Sequence, residues 1–280
     1  KQLFSSLLND FIFNLILYYV RSNLQHNKYQ KMAYNFSGKK VLVTGAGKGI
    51  GRGICIAMLK AGAQVFALSR TQSDLDSLHQ EYSEVVTICV DLDDMEKVKE
   101  KLKIIPDDIT LLVNNAGVAK LQHFLDITEE AYDSIMNINL KSMVFISQFI
   151  AKKMISYGKG GKIVNVSSQS SLTALPLHTV YCVSKAGVDH LTRCMALELG
   201  PHHINVNAIN PTVVMTDMGK KVWNEPSVGD PMKNQIPLGK FAEVEDVVNA
   251  VLFLLSDESN MISGVVLPID GGFLASRKLS

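Results

Sequence analysis

The chain has 280 residues, 47% of them apolar, which is enough to bury one substantial core, and its 28 basic side chains stand against 27 acidic ones for a formal charge of +1. No Lys/Arg block interleaves with aromatics, so phosphate-backbone binding is excluded as a main activity and nucleic acid is not an expected partner. Cys55, Cys89, Cys182 and Cys194 form neither a CxxC pair nor a zinc spacing, so reduced structural thiols and no metal site are expected.

Residues 1–31 contain an apolar stretch at 11–20, broken by Asn14 and shorter than the ~20 residues that span a bilayer. Tyr18, Tyr19 and Arg21 stand where a signal peptide would need small residues for cleavage. The expectation is an N-terminal extension outside the fold, followed by one domain over 32–280 in a cytoplasmic protein. Peripheral attachment of the amphipathic segment to a membrane surface is the alternative, and membrane contact is otherwise not expected.

From Lys39 onward, short β-branched runs alternate with longer helical patterns. Residues 41–44, 64–68, 85–90, 110–113, 162–166, 204–209 and 265–269 each predict a buried strand. Between them the apolar residues recur at helical steps; Val244, Val247, Val248, Val251, Leu252 and Leu255 mark one face, with Glu245 and Asp246 at the dipole-favoured start. Seven strands alternating with helices predict an α/β fold: a single doubly wound domain with a seven-stranded parallel sheet flanked by helices. Right-handed crossovers then put the ligand crevice outside the carboxyl ends of the strands.

The first strand runs into Thr44-Gly45-Ala46-Gly47-Lys48-Gly49-Ile50-Gly51 and then a helix, the setting of a phosphate-cradling loop. The spacing is TGxxxGxG. Gly45 is expected to make the turn, Gly49 to let backbone, with Ile50, approach a pyrophosphate, and Gly51 to let the helix pack closely. At the end of the second strand an acid would bind a ribose 2′-hydroxyl, but Ser69-Arg70 stands there and Lys48 adds a second cation, which points to NADP(H). Asp91 and Leu92 follow the third strand on the adenine side, and Asn115-Ala116-Gly117 after the fourth is expected to pass close to the adenosine ribose.

Tyr181 and Lys185 lie four apart in a predicted helix, hence on one face, and Ser168 closes the fifth strand. Reducing a ketone needs a hydride on carbon and a proton on oxygen. Tyr181 is the expected general acid, Lys185 the cation that lowers its pKa, and Ser168 the hydroxyl that hydrogen-bonds the carbonyl oxygen.

The set Thr44-Gly45, Gly49, Gly51, Asn114-Asn115-Ala116-Gly117, Asn139, Ser168, Tyr181 and Lys185 resembles the short-chain dehydrogenase/reductases over nearly all of residues 37–274. The resemblance implies Asn139 as a fourth catalytic residue, holding a water that relays protons to the lysine. It implies that Pro211, Val214 and Thr216 embrace a nicotinamide carboxamide, and that a segment after Thr216 closes over substrate. Residues 69–77, 166–169, 210–216 and 236–245 are most similar to the family's tetrameric carbonyl reductases of sugars and dicarbonyls. That likeness implies a small-molecule carbonyl substrate, lining by Gln169, His178 and Trp223 with Gln169 and His178 donating to sugar hydroxyls, and a homotetramer built partly through residues 244–255 and the last strand. Residues 172–177 and the tail at 277–280 depart from the pattern. A steroid or 3-oxoacyl reductase, or a catalytically silent NADP-binding scaffold, are the alternatives. The four-residue spacing of Tyr181 and Lys185 argues against an enoyl reductase.

Overall fold

The structure is a computed structural model and describes residues 34–276. The expected extension at 1–31, its apolar segment and the tail at 277–280 lie outside the described residues. From Asn35 the chain forms one compact unit.

Seven parallel strands make one sheet in the order β3-β2-β1-β4-β5-β6-β7. They are β1 (Lys40–Thr44), β2 (Gln64–Ser69), β3 (Val86–Cys89), β4 (Leu111–Asn114), β5 (Gly161–Val166), β6 (Ile204–Pro211) and β7 (Val266–Ile269). The helices are α1 (Gly49–Lys60), α2 (Gln72–Glu81), α3 (Met95–Lys101), α4 (Glu129–Met136), α5 (Ser142–Tyr157), α6 (Thr179–Leu199), α7 (Asp217–Trp223), α8 (Pro226–Lys233) and α9 (Val244–Leu255). The strand order reverses between β1 and β4, which opens a crevice at the carboxyl edge there.

Side chains alternate across each strand, so both faces of the sheet must be covered. Leu42, Leu112, Ile163 and Val206 pack with Ile146, Ile150 and Met154 of α5 on one face. On the other, α1 and α9 pack together. Gly53 makes that pairing close, since a Cβ there would stand 2.6 Å from Val244 Cγ1. Residues 265–269 shorten to four because Val265 instead donates its N–H to the Asn207 side chain.

One departure lies between α4 and α5, where Asn137–Lys141 forms a π-helical turn. Its extra residue rotates Asn139 fully into the interior.

Candidate active site

The first arm of the crevice follows β1. Gly45 takes φ +64, and a Cβ there would lie 2.8 Å from Ala116 Cα. A Cβ on Gly51 would stand 2.2 Å from the Gly45 carbonyl oxygen, so this glycine packs the helix on its own loop rather than on the strand. Lys48 precedes α1 without a side-chain cap, and the first turn holds no acid, which leaves its N–H groups open to an anion.

Asn115 has a further role beside this loop. Its Nδ2 donates to the carbonyls of Thr44 and Gly45 at 3.0 and 3.1 Å, while Thr44 Oγ1 accepts from the N–H groups of Asn115 and Ala116. Asn115 therefore clamps the glycine loop. Gly117 lies where the two arms of the crevice meet, and an added Cβ there would be 3.4 Å from Lys185 Nζ and 3.5 Å from Asn139 Oδ1.

Lys48, Ile50, Ser69, Arg70, Asp91, Leu92, Asn115, Ala116, Gly117 and Thr216 line this arm together. Sequence reasoning missed Gly47, Thr71 and Asp74. The first turn of α2 brings Asp74 back to 3.9 Å from Lys48, so the end of β2 is not free of acid. Asp74 reads in the sequence as an ordinary acid at a helix start, which hides its place in the cleft.

The second arm shares Ile50, Asn115, Gly117, Val118 and Thr216 with the first, so the crevice is continuous. Ser168, Gln169, His178, Tyr181, Lys185, Pro211, Val214, Thr216 and Trp223 all line it. Gly49, Gly51 and Asn139 are not among the residues that line either arm. Leu175, Pro176 and Met232 are also in the wall; they lie in irregular or helical chain with no marker in composition. The segment after Thr216 forms α7 and α8, which carry Trp223 and Met232, and Trp223 is held edge-on to Phe241 at 5.6 Å.

Ser168 lies two residues past the end of β5, with its hydroxyl beside that of Tyr181 and accepting from Ser170 N–H at 3.2 Å. Lys185 is 3% exposed and donates from Nζ to the Val166 carbonyl at 2.8 Å, 5.7 Å from the centre of the Tyr181 ring. Asn139 Oδ1 accepts from Val118 N–H at 2.8 Å, and its Nδ2 donates to the Val118 carbonyl and Ser184 Oγ.

Burial governs both titrating groups. It pushes the Tyr181 phenol up, with the Ser168 hydrogen bond pulling the other way, and drives the Lys185 ammonium down to about 8 against the pull of the Asp189 carboxylate. In the free protein burial outweighs the Ser168 contribution, so Tyr181 holds its proton at neutral pH.

Behind the site lies a cluster invisible in the sequence. Asn210 Nδ2 reaches the Ser168 carbonyl at 3.0 Å, Ser171 Oγ at 2.7 Å and both carboxylate oxygens of buried Asp189. Gln169 is 2% exposed, and its Oε1 is buried without a partner. Burial lifts the Cys55 thiol to about 12, as expected of an inert structural cysteine. No group of His, Cys, Asp and Glu able to hold a metal occurs among the described residues, and no described helix is long and apolar enough to cross a membrane.

Residues 45–274 match the family model described as enoyl-(acyl carrier protein) reductase. The chain is 55% identical over 245 residues to L-xylulose reductase of Mesocricetus auratus, covering 88% of this chain and 100% of that one. It is 49% identical to carbonyl reductase [NADPH] 2 of Sus scrofa, with 88% and 100% covered. An Agrobacterium tumefaciens structure described as a "putative 2-deoxy-d-gluconate 3-dehydrogenase" with bound NADP superposes at a TM-score of 0.81, with 31% identity over 88% of this chain and all of that one. With the parallel sheet, the glycine turn and the Ser168, Tyr181 and Lys185 cluster in one crevice, these likenesses show that the chain belongs to the short-chain dehydrogenase/reductase family of oxidoreductases.

Proposed function

We propose that the protein reduces the carbonyl group of small sugars and dicarbonyls with NADPH, L-xylulose to xylitol and diacetyl among them, with Tyr181 as general acid. The observation that carries this reading is the convergence of Tyr181, Ser168 and Lys185 at one end of a crevice whose other end is an uncapped helix N-terminus beside Arg70 and Lys48. The relatives named L-xylulose reductase and carbonyl reductase [NADPH] 2, and the NADP-bound structure, support the same substrate and cofactor classes.

The residues present fit that dinucleotide. The first-turn N–H groups of α1 and the glycines that keep the loop free of side chains suit a pyrophosphate, and the Arg70 guanidinium and Lys48 suit a 2′-phosphate, with Asp74 limiting the net positive charge. Asp91 and Leu92 line the adenine end, while Pro211, Val214 and Thr216 border the nicotinamide end. NADPH bound there supplies the hydride. Tyr181 keeps its proton at neutral pH and gives it to the carbonyl oxygen, while Ser168 donates a second hydrogen bond to that oxygen as negative charge develops. Lys185 holds a proton next to Tyr181, from which the spent tyrosine is restored. Asn139 fixes the π turn behind Lys185 through Val118 and Ser184 and completes the catalytic set.

NADPH oxidation by the full chain with L-xylulose and with diacetyl tests the reading. Tyr181→Phe is expected to lower kcat by at least about a hundredfold; equal rates for variant and parent would remove the mechanism. We propose further that the protein works as a homotetramer, with α9 and the half-exposed edge strand β7 among its contacts. A light-scattering mass of one chain would overturn that.

A further inference from the structure

Ser168 can serve the reaction only while the short turn that carries it stays in place, and that turn is held from beneath. The Ser168 carbonyl takes three donors: Ser171 N–H at 3.0 Å, Ser171 O–H at 2.8 Å and Asn210 Nδ2 at 3.0 Å. The first two belong to the turn itself, whereas Asn210 comes from β6 and is wholly buried. Its Nδ2 also stands 2.7 Å from Ser171 Oγ, and 3.2 and 3.0 Å from the two carboxylate oxygens of Asp189 on α6, a residue 3% exposed. Turned over, the amide would set its own carbonyl against a carboxylate and a peptide carbonyl, so polarity allows only the nitrogen there. The cost of that direction shows on the other side, where Asn210 Oδ1 is buried without a partner. An amide at position 189 could present either end and leave the direction open; a carboxylate accepts at both oxygens and fixes it.

We propose that Asn210 is a positioning residue for the reaction and that Asp189 aims it, so that the turn after β5 keeps the Ser168 hydroxyl beside Tyr181. The proposal rests on the carbonyl-reductase reading above. Of the two amide hydrogens, one meets the carboxylate on α6 and the other goes to the Ser168–Ser171 turn. One buried side chain therefore bridges the helix that carries Tyr181 and the turn that carries Ser168. Asn210 lines neither arm of the crevice, so it acts on the reaction through Ser168. Without it the Ser168 carbonyl keeps only donors from within its own turn, which move with it. A shift of about 1 Å in a group that must meet the carbonyl oxygen costs up to about a hundredfold in rate.

The test uses the full chain with NADPH and L-xylulose. Asn210→Ala is expected to lower kcat about tenfold to a hundredfold, with KM for NADPH changed by less than about twofold. In a Ser168→Ala background, read over hours at high enzyme concentration, the same substitution is expected to cost less than about twofold, because the group it positions is gone. An exchange variant, Asp189→Asn together with Asn210→Asp, keeps the buried charge and the amide-to-carboxylate bond between α6 and β6, but its carboxylate at position 210 has no hydrogen for the Ser168 carbonyl. It is expected to be as slow as Asn210→Ala. Parental kcat in the exchange variant is the result of a pair that merely joins helix to strand, and it would overturn the proposal. So would an unchanged kcat in Asn210→Ala, or an equal loss from that substitution with and without Ser168. A parent that oxidises NADPH with neither L-xylulose nor diacetyl would instead overturn the reductase reading.

Discussion

A lysine buried for chemistry should weigh on stability, and Lys185 allows the weight to be estimated. It is 3% exposed, and burial brings its ammonium from an ordinary 10.5 to about 8 despite the attraction of Asp189. The folded-state value lies below the unfolded one, so between about pH 8 and 10.5 the unfolded chain keeps a proton that the folded chain has released. Stability contributed by this group therefore rises with pH across that window, and the whole cost of the buried ammonium is present below about 8. The displacement corresponds to roughly 3 kcal/mol. Lys185→Met keeps the length of the side chain and removes the charge, and losing the Nζ bond to the Val166 carbonyl takes back about 1 kcal/mol. The variant is thus expected to be inactive yet about 2 kcal/mol more stable than the parent at pH 7, with the advantage gone by about pH 10. Urea unfolding followed by circular dichroism at about pH 6, 7, 8 and 9.5, at one protein concentration, reads the difference directly. A variant less stable than the parent at pH 7, or one whose advantage is the same at pH 6 and 9.5, refutes the reasoning.

Two other substitutions test the cofactor arm. Gly51→Ala gains up to about 1 kcal/mol of helix propensity, but its Cβ would stand 2.2 Å from the Gly45 carbonyl oxygen, so the loop must move; a net loss of about 1–3 kcal/mol and a smaller rise in Tm on adding NADPH are expected, and an unaltered ligand-induced rise counts against the close packing. Arg70→Asp removes the guanidinium and adds a second acid beside Asp74, so KM for NADPH is expected to rise about tenfold to a hundredfold with KM for NADH little changed; an unaltered ratio of the two rules out the phosphate contact.

The sheet was legible because each strand is a short β-branched run closed by glycine or polar residues, and the two-sided burial of a parallel sheet leaves that mark in sequence. The glycine turn was legible for a similar reason: only glycine takes φ +64 at Gly45 at no cost. What escaped is what depends on direction. Asp74 sits three residues into a helix start like any surface acid, and only the return of α2 over the loop aims it at Lys48. The π turn that buries Asn139 inserts a residue without any change of composition. Leu177 takes a left-handed φ of 64 for which a branched apolar residue has no propensity, and its neighbours hold it there through the Gln122 N–H bond to its carbonyl and the Pro176–His178 contact.

The cluster beneath the crevice explains how so much charge is held inside. Asn210 has two amide hydrogens and four acceptors within reach, so neither Asp189 oxygen is fully satisfied by it. Lys185 stands one turn earlier on the same helix, and the attraction of that carboxylate supports its ammonium. Tyr181, Lys185 and Asp189 follow one another at four-residue steps along α6, so proton donor, cation and countercharge share one rigid face and cannot be separated by a shift of the helix. Ser168 is tied to the same unit through Asn210, which donates to its carbonyl. The charges are therefore fixed relative to one another before any substrate arrives, which is the condition under which a buried cation can stabilise a developing phenolate without reorganising. It follows that Lys185→Met leaves Asp189 short of its partner, so roughly 3 kcal/mol is a ceiling on the gain and the measured value should fall below it.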